Sequence, residues 1–196
     1  MFKVVDNIVP VRLQEDLNSY CFGDYFPWYY IQDITRNAFV QGEYAQPGFH
    51  HTPFNEYNPR GSSYDYFKWM SFFIEEQIGY HKPLHLFRIR CGLNISNVWN
   101  NREFEQEWNH PHIDHNPEIV TGQTFTCLYY VNDSDGDTFV FNETKESKEY
   151  SVMHRITPKQ GRIAIFDGKQ YHASSSPKQT NARVVLTFNF HEKLFA

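Results

Sequence analysis

The sequence is poor in cysteine and has no long apolar runs. Its 3 cysteines, Cys21, Cys91 and Cys127, are widely spaced and form no CxxC pair, so neither a disulfide framework nor a cysteine-based zinc site is indicated. No apolar run approaches the roughly 20 residues that span a bilayer, and the first 20 residues contain no signal-peptide core. These absences favour a reduced, cytoplasmic protein that makes no contact with a membrane.

An excess of basic charge and several common enzyme motifs are also missing. The formal net charge is −5 and the pI is about 6.0, which disfavours nucleic acid as a partner. The sequence contains no GxSxG, no P-loop and no GxGxxG, so the enzyme classes built on those loops are not indicated. Aromatic residues, in contrast, make up 18% of the chain, which favours strands and a lined pocket.

The first part of the chain, residues 1–84, predicts peripheral supporting elements. VRLQEDLNSYC has a helical apolar face, and YDYFKWMSFFIEEQI predicts a second helix that Ser62 or Ser63 can cap and Gly79 ends. The aromatic and β-branched residues of 26–35 predict a strand.

Residues 41–62 are rich in Gly, Pro, His and Asn and predict a long loop. His50 and His51 lie in this stretch. We expect both side chains to be solvated or locally hydrogen-bonded, and neither to bind a metal.

From residue 84 onward the pattern changes to short strands. Six strand-like runs are separated by turn signals such as SDGD and TPKQG: LHLFRIRCGLNI, TFTCLYYVND, DTFVFN, YSVMHRIT, GRIAIFDG and ARVVLTFNF. No helical pattern lies between them, which predicts an antiparallel sandwich or barrel. Residues 1–196 are expected to form a single domain, with residues 1–84 supporting a core at 85–190.

The final run, RVVLTFNF, has two different faces because side chains alternate along a strand. One face is apolar and consists of Val184, Leu186, Phe188 and Phe190. The other is mixed and consists of Arg183, Val185, Thr187 and Asn189. We expect the apolar face to lie beneath helices and the other to line a polar cavity.

The stretch WNHPHIDHNP, residues 108–117, concentrates metal-binding side chains. His112 and Asp114 are two residues apart, so on a strand both side chains leave the same face. They match two ligands of a 2-His-1-carboxylate triad, which leaves positions open on Fe(II). An HxD pair alone also occurs in solvated loops. His110 and His115 are expected to support the ligands or to face the substrate.

Two further residues favour the metal-site interpretation. His172 follows a strand and a DG turn, where it can return to the same mouth as the HxD pair. Arg183 comes eleven residues later, on the mixed face of the last strand. A buried guanidinium needs an anionic partner, which is either a cosubstrate carboxylate or an acidic residue of the chain. Trp99, Trp108 and Tyr171 are candidates for an aromatic mouth.

Together these motifs resemble the Fe(II)/2-oxoglutarate-dependent dioxygenases, and most closely the prolyl 4-hydroxylase group. HxD, a distant histidine and an arginine on the last strand occur in the family's order. TCLYYVND resembles the segment after the HxD of the hypoxia-sensing prolyl hydroxylases, and GDT resembles their GGxT turn. GRIAIFDGKQYHASSSP and RVVLTFNF resemble their distal-histidine and arginine strands. The resemblance covers about residues 85–190.

The resemblance implies a mainly β fold with peripheral helices around a double-stranded β-helix, the jelly-roll core of cupin-like proteins. It implies that the Fe(II) ligands, which form the catalytic centre, are His112, Asp114 and His172. It also implies that the residues binding the C5 carboxylate of 2-oxoglutarate are Arg183, Tyr130, Thr187 and Thr138. GDT departs from GGxT at the second glycine, and Val185 replaces a small hydroxyl residue of many family members.

The activity implied is hydroxylation of an unactivated C–H, with consumption of O₂ and release of succinate and CO₂. Ascorbate is a candidate reductant. A prolyl residue of a peptide or protein is the family-level expectation for the substrate, and a small molecule stays open, as does a homodimer. Two alternatives are a cupin-like metalloenzyme that does not use 2-oxoglutarate and a non-catalytic jelly-roll binding protein.

Overall fold

A computed structural model describes residues 1–34, 47–96, 107–114 and 122–192. Within these ranges the chain is mainly β. The helices are α1 (Val11–Cys21), α2 (Ser63–Phe67) and α3 (Met70–Ile78). The strands are β1 (Phe2–Val5), β2 (Tyr29–Ile31), β3 (Gly48–Asn55), β4 (Asn58–Pro59), β5 (Leu84–Ile95), β6 (Thr124–Tyr130), β7 (Thr138–Phe141), β8 (Val152–Ile156), β9 (Ile163–Asp167), β10 (His172–Ser174) and β11 (Ala182–Glu192).

The strands form two antiparallel sheets. The large sheet has the order β1-β9-β6-β11-β5-β3-β2, and β4 pairs with β3 at its side. The small sheet has the order β10-β7-β8. All six predicted strand runs after residue 84 are present, which confirms the mainly β class with peripheral helices.

The main hydrophobic core lies between the helices and the outer face of the large sheet. α3 buries Met70, Ile74 and Ile78 at a spacing of four residues, which places them on one helical face. α1 contributes Leu17 and Cys21. Opposite them, the sheet presents the alternate residues Val184, Leu186, Phe188 and Phe190 of β11 and Phe125, Cys127 and Tyr129 of β6. The apolar face predicted for the last strand is therefore confirmed.

The loop predicted over 41–62 is wrong for the part that the structure describes, because β3 and β4 lie there. β3 pairs with β5, with Phe49 opposite Leu93, and the register shifts before Phe54. Tertiary pairing thus overrides a composition typical of loops. His51 is buried beside the ring of Phe26 rather than solvated.

The second predicted helix is interrupted. α2 ends at Phe67 and α3 begins at Met70, and Ser62 makes no side-chain cap hydrogen bond. Gly79 ends α3 as predicted, since it adopts the left-handed conformation with φ 62° that favours glycine. Of the strand predicted over 26–35, the structure describes residues 26–34, and within these only Tyr29–Ile31 forms a strand. None of the helices in the described ranges is both long and apolar enough to cross a lipid bilayer.

Candidate active site

The HxD segment lies against β10 and joins the edge of the small sheet. His112 and His172 form an isolated antiparallel bridge, in which each backbone N–H donates to the other residue's carbonyl oxygen at 3.0 Å. The bridge places the two imidazoles side by side, with ring centroids 4.6 Å apart. Two residues that are 60 positions apart in the chain are thereby brought to one point.

Asp114 completes a cluster with these two histidines. His172 Nε2 lies 3.7 Å from Asp114 Oδ2, and His112 Nε2 lies 4.0 Å from Asp114 Oδ1. Three ligand atoms, one from each residue, all lie within 4.8 Å of one another, as a shared metal ion requires. Two imidazoles and one carboxylate are the donor set that suits Fe(II).

Both histidines present the nitrogen that a metal needs. His112 Nδ1 contacts the carbonyl oxygen of His110 at 3.2 Å, and His172 Nδ1 contacts that of Gln170 at 3.4 Å. Because a carbonyl only accepts, each Nδ1 carries the proton and each Nε2 keeps a lone pair. Burial and the neighbouring His172 lower the pKa of His112 to about 3, and burial lowers the pKa of His172. Both rings are therefore neutral at pH 7.

The Asp114 carboxylate is held at both oxygens. Arg88 Nη2 lies 2.7 Å from Oδ1 as an ion pair, without the alignment of a hydrogen bond, and Asn189 Nδ2 donates to Oδ2 at 3.0 Å. Burial alone would raise the pKa of Asp114, but Arg88 and the two histidines outweigh it and hold that pKa below its usual range. The carboxylate is thus ionised and ready to bind a cation.

A cavity between the two sheets joins the cluster of His112, Asp114 and His172 to Arg183. Arg183 Nη2 donates to Thr138 Oγ1 at 2.7 Å, and its buried Nε has no hydrogen-bond partner in the described ranges. Tyr130 OH also donates to Thr138 Oγ1, at 2.8 Å. Because this oxygen accepts two hydrogen bonds, its own proton is left to donate into the cavity. The cavity end therefore offers a guanidinium and a hydroxyl to an anion.

The turn before β7 has to be small for this arrangement. A Cβ on Gly136 would lie 2.7 Å from the carbonyl oxygen of Ser175 and 3.1 Å from Arg183 Cδ. Gly136 is the one glycine that GDT shares with GGxT, and its close approach to the Ser175 carbonyl and to Arg183 explains why a side chain does not fit there.

The opposite wall of the cavity is also polar. Arg90 and Asn94 of β5 and Ser174 of β10 line it. Ser174 Oγ accepts from Asn94 Nδ2 at 3.1 Å and from Asn109 Nδ2 at 3.2 Å, so its proton too is left for another acceptor. Arg90 Nη2 donates to the carbonyl oxygen of Ile34 at 2.7 Å.

Most of the site residues predicted from the sequence meet at this cavity, which is lined by His112, Asp114, His172, Arg183, Thr138 and Thr187. Tyr130 is fully buried behind Thr138 and does not line the cavity. Trp108 and Tyr171 pack with Phe139 and Phe141 in a separate aromatic cluster and likewise do not line it. His115 and Trp99 lie outside the described residues.

Sequence reasoning missed four polar residues of the site: Arg88, Arg90, Asn94 and Ser174. The first three alternate along RIRCGLN, so they share one face of β5, while Ile89 and Cys91 of the other face enter the main core. Two arginines at i and i+2 on a long strand were the available signal. Asn189 was placed on the mixed face of β11, but its contact with Asp114 was not expected.

The family model described as the 2OG-Fe(II) oxygenase superfamily matches residues 99–191. No curated protein sequence matches the chain.

Several solved structures share the fold over almost the whole chain. A prolyl hydroxylase from Trichoplax adhaerens, in complex with a hypoxia inducible factor peptide, is 13% identical with a TM-score of 0.64, covering 97% of this chain and 83% of that one. A Pseudomonas putida prolyl-4-hydroxylase is 12% identical with a TM-score of 0.59, covering 98% and 93%.

A third similar structure is HygX from Streptomyces hygroscopicus, with nickel and 2-oxoglutarate bound. It is 10% identical with a TM-score of 0.62, covering 100% of this chain and 84% of that one. The comparisons confirm the jelly-roll core and the resemblance to the 2-oxoglutarate-dependent oxygenases. The expected enzyme class, with iron and 2-oxoglutarate, is that of the matching family model.

Proposed function

We propose that this chain is a 2OG-Fe(II) oxygenase that hydroxylates a prolyl residue of a peptide or protein, using O₂ and 2-oxoglutarate and releasing succinate and CO₂. The observation that carries the proposal is that His112, Asp114 and His172 converge within 4.8 Å at a cavity whose far end holds Arg183. The three-residue cluster can bind iron, and the Arg183 guanidinium can bind the far carboxylate of 2-oxoglutarate.

The donor set fits Fe(II). Two neutral imidazoles with free Nε2 lone pairs and one ionised carboxylate supply three ligands and leave further positions open. Bound there, the iron would supply the oxidising chemistry that protein side chains lack. The Nδ1 contacts to backbone carbonyls would keep the rings of His112 and His172 in a fixed orientation. The rings would then need no rearrangement when the metal binds.

The far end of the cavity fits the C5 carboxylate of 2-oxoglutarate. The unpartnered Nε of Arg183 and the free proton of Thr138 can both donate to a carboxylate, and charge-assisted hydrogen bonds of this kind are the strong ones. Thr187 lines the same wall. Tyr130 would act through Thr138, because its hydroxyl proton is given to Thr138 Oγ1.

A prolyl substrate is supported by what the remaining wall offers. A prolyl residue has no backbone N–H, so a protein recognises its main chain through carbonyl oxygens. Ser174 presents a hydroxyl proton at the cavity, next to the metal-binding cluster. The two prolyl hydroxylases among the similar structures agree with this choice.

A small molecule that carries a carboxylate is the second candidate substrate. It is favoured by Arg90, which lines the cavity in addition to Arg183. A guanidinium can bind a carboxylate through two parallel hydrogen bonds. An uncharged peptide segment has no carboxylate to offer it. A panel of proline-containing peptides and free amino acids separates the two candidates by which of them stimulates succinate release.

We also propose that residues 1–196 work as a single oxygenase domain. β1, near the start of the chain, pairs with β9, and β3 pairs with β5. The helices of the first part bury their apolar faces on the same large sheet that forms the cavity. Removing this part would expose that apolar surface.

The test is succinate release from 2-oxoglutarate in the presence of Fe(II), ascorbate and the panel. We expect wild-type protein to form succinate, faster with a suitable peptide, and His172→Ala to form less than about 1% of it. His154→Ala is the matched control, since His154 stacks on Phe2 away from the cavity and its loss should leave turnover intact. Equal succinate from wild-type and His172→Ala would refute the assignment.

A further inference from the structure

Arg88 touches the proposed metal site without a part in the proposed reaction. Its Nη2 lies 2.7 Å from Asp114 Oδ1, and the side chains of Arg88 and Asp114 are only 15% and 6% exposed. A cation this close to a metal-binding carboxylate needs an explanation, because the arginine and a divalent ion would share one negative charge.

The pair belongs to a ring of polar contacts, formed by hydrogen bonds and one ion pair, that is built on three neighbouring strands. Arg88 of β5 is directly opposite Asn189 of β11, which is opposite Thr126 of β6. Arg88 Nε donates to Asn189 Oδ1 at 2.9 Å, and Asn189 Nδ2 donates to Asp114 Oδ2 at 3.0 Å. Thr126 Oγ1 lies 3.5 Å from the same Asp114 oxygen. The three strands thus form a floor that holds the carboxylate from below.

We propose that Arg88 balances the charge of Asp114 in the metal-free protein, while Asn189 holds the carboxylate in position. The inference rests on the proposed metal site. A buried carboxylate that loses its cationic partner is strongly destabilising, so the ion pair keeps the protein stable before metal is bound. A divalent ion then takes over this compensation, and the Arg88 guanidinium becomes a nearby like charge that weakens metal binding.

The two residues therefore have opposite effects on metal affinity. An Arg88→Gln variant loses the positive charge and the Nε hydrogen bond to Asn189, while Asn189 and Thr126 should keep their contacts with Asp114 Oδ2. In an Asn189→Ala variant the charge is kept and the orientation is lost. If the two residues only filled space, replacing them would not change metal affinity in opposite directions.

The experiment measures thermal unfolding and Mn(II) affinity, with Mn(II) as the probe for the divalent site. Without metal, Arg88→Gln should unfold on the order of 10 °C below wild type. Saturating Mn(II) should restore at least half of that loss, and the Mn(II) dissociation constant should be about tenfold lower than in wild type. For Asn189→Ala that constant should be about tenfold higher.

Two further variants separate charge from a general loss of stability. Arg162→Gln is the matched control, since Arg162 Nε pairs with Asp6 Oδ1 at 2.7 Å away from the site. The decrease in unfolding temperature of Arg162→Gln should be the same with and without Mn(II). Arg88→Lys keeps the charge, so it should unfold at a higher temperature than Arg88→Gln in the absence of metal.

The outcomes are distinct. If wild type shows no unfolding shift with Mn(II), the proposed metal site itself is wrong. If wild type shifts but Arg88→Gln loses stability equally with and without Mn(II), only the charge-balancing role is overturned. If Arg88→Gln is recovered folded only when Mn(II) is present, the proposal is supported. If Mn(II) does not rescue the folding of Arg88→Gln, and Arg88→Lys folds no better than Arg88→Gln, the proposal is overturned.

Discussion

The outer and inner faces of the large sheet use the same strands for opposite purposes. On the outer face of β11, Leu186 and Phe188 are fully buried against the helices in the main core. On the inner face of the same strand, Arg183 lines the cavity and Asn189 holds Asp114. Both faces are mostly buried, yet only one is apolar.

The difference shows how a narrow jelly roll keeps charges inside. The outer face is stabilised by hydrophobic burial, which has no direction and needs only shape. Each charged group of the inner face needs a partner at a defined position, as Arg88 has in Asp114 and Arg183 has in Thr138. Changes to the outer face should therefore alter stability alone, and changes to the inner face should alter ligand binding, with or without a loss of stability.

The largest expected effect comes from a cavity in the outer face. Phe188→Ala should lower the free energy of unfolding by about 4 kcal/mol, because Phe188 is fully buried in the main core. Chemical denaturation measures the loss, and the KM for 2-oxoglutarate at a temperature where the variant is folded should change by less than about threefold. A KM change as large as that expected for the inner-face variant Tyr130→Phe would contradict the idea that the outer face affects stability only.

Arg183→Gln should have the next largest effect, on the inner face. Losing the guanidinium should raise the 2-oxoglutarate dissociation constant about 100-fold, equivalent to about 3 kcal/mol, since a charge-assisted contact is removed. Calorimetric titration measures it, with Arg162→Gln as the control that should bind normally. Unchanged binding in Arg183→Gln would favour the cupin-like enzyme that does not use 2-oxoglutarate.

Acid should weaken the inner face through His112. Its pKa is about 3 in the folded protein and about 6.5 when unfolded, so the unfolded chain binds more protons between these values. This contribution is complete above pH 6.5 and is lost as the pH falls, by about 2 kcal/mol between pH 7 and 5 in metal-free protein.

The pH effect is measured as the difference between wild type and His112→Asn. His51, His154 and His172 also have lowered pKa values because of burial, and they cancel in this difference. Parallel stability curves for the two proteins between pH 7 and 5 would show that His112 does not titrate in this way.

The smallest predicted effect sharpens the comparison within the inner face. Tyr130→Phe removes the hydroxyl that donates to Thr138 but leaves the ring in place. Losing this hydrogen bond should cost about 1 kcal/mol and raise the KM for 2-oxoglutarate about fivefold, with little change in kcat. A loss as large as that of Arg183→Gln would place the Tyr130 hydroxyl directly on the cosubstrate.

The sequence predicted the strands of the second half and the two faces of β11, because alternation of side chains is a local property. It failed for β3, whose Gly, Pro and His residues resemble a loop and whose extended form depends on pairing with β5. For the site, it predicted His112, Asp114, His172 and Arg183 as a group. It predicted no partner for Arg88. It also predicted Trp108 and Tyr171 at the mouth of the site, but these side chains do not line the cavity.

Residue type and strand parity can be read along the chain without knowledge of contacts, so the sequence alone was enough to single out His112, Asp114, His172 and Arg183 as candidates. The tertiary structure decided what those residues do to one another. The bridge between His112 and His172 and the floor of Arg88, Asn189 and Thr126 under Asp114 depend on strand register. Register is fixed only when the sheets close around a shared core, because neighbours across strands are remote in sequence.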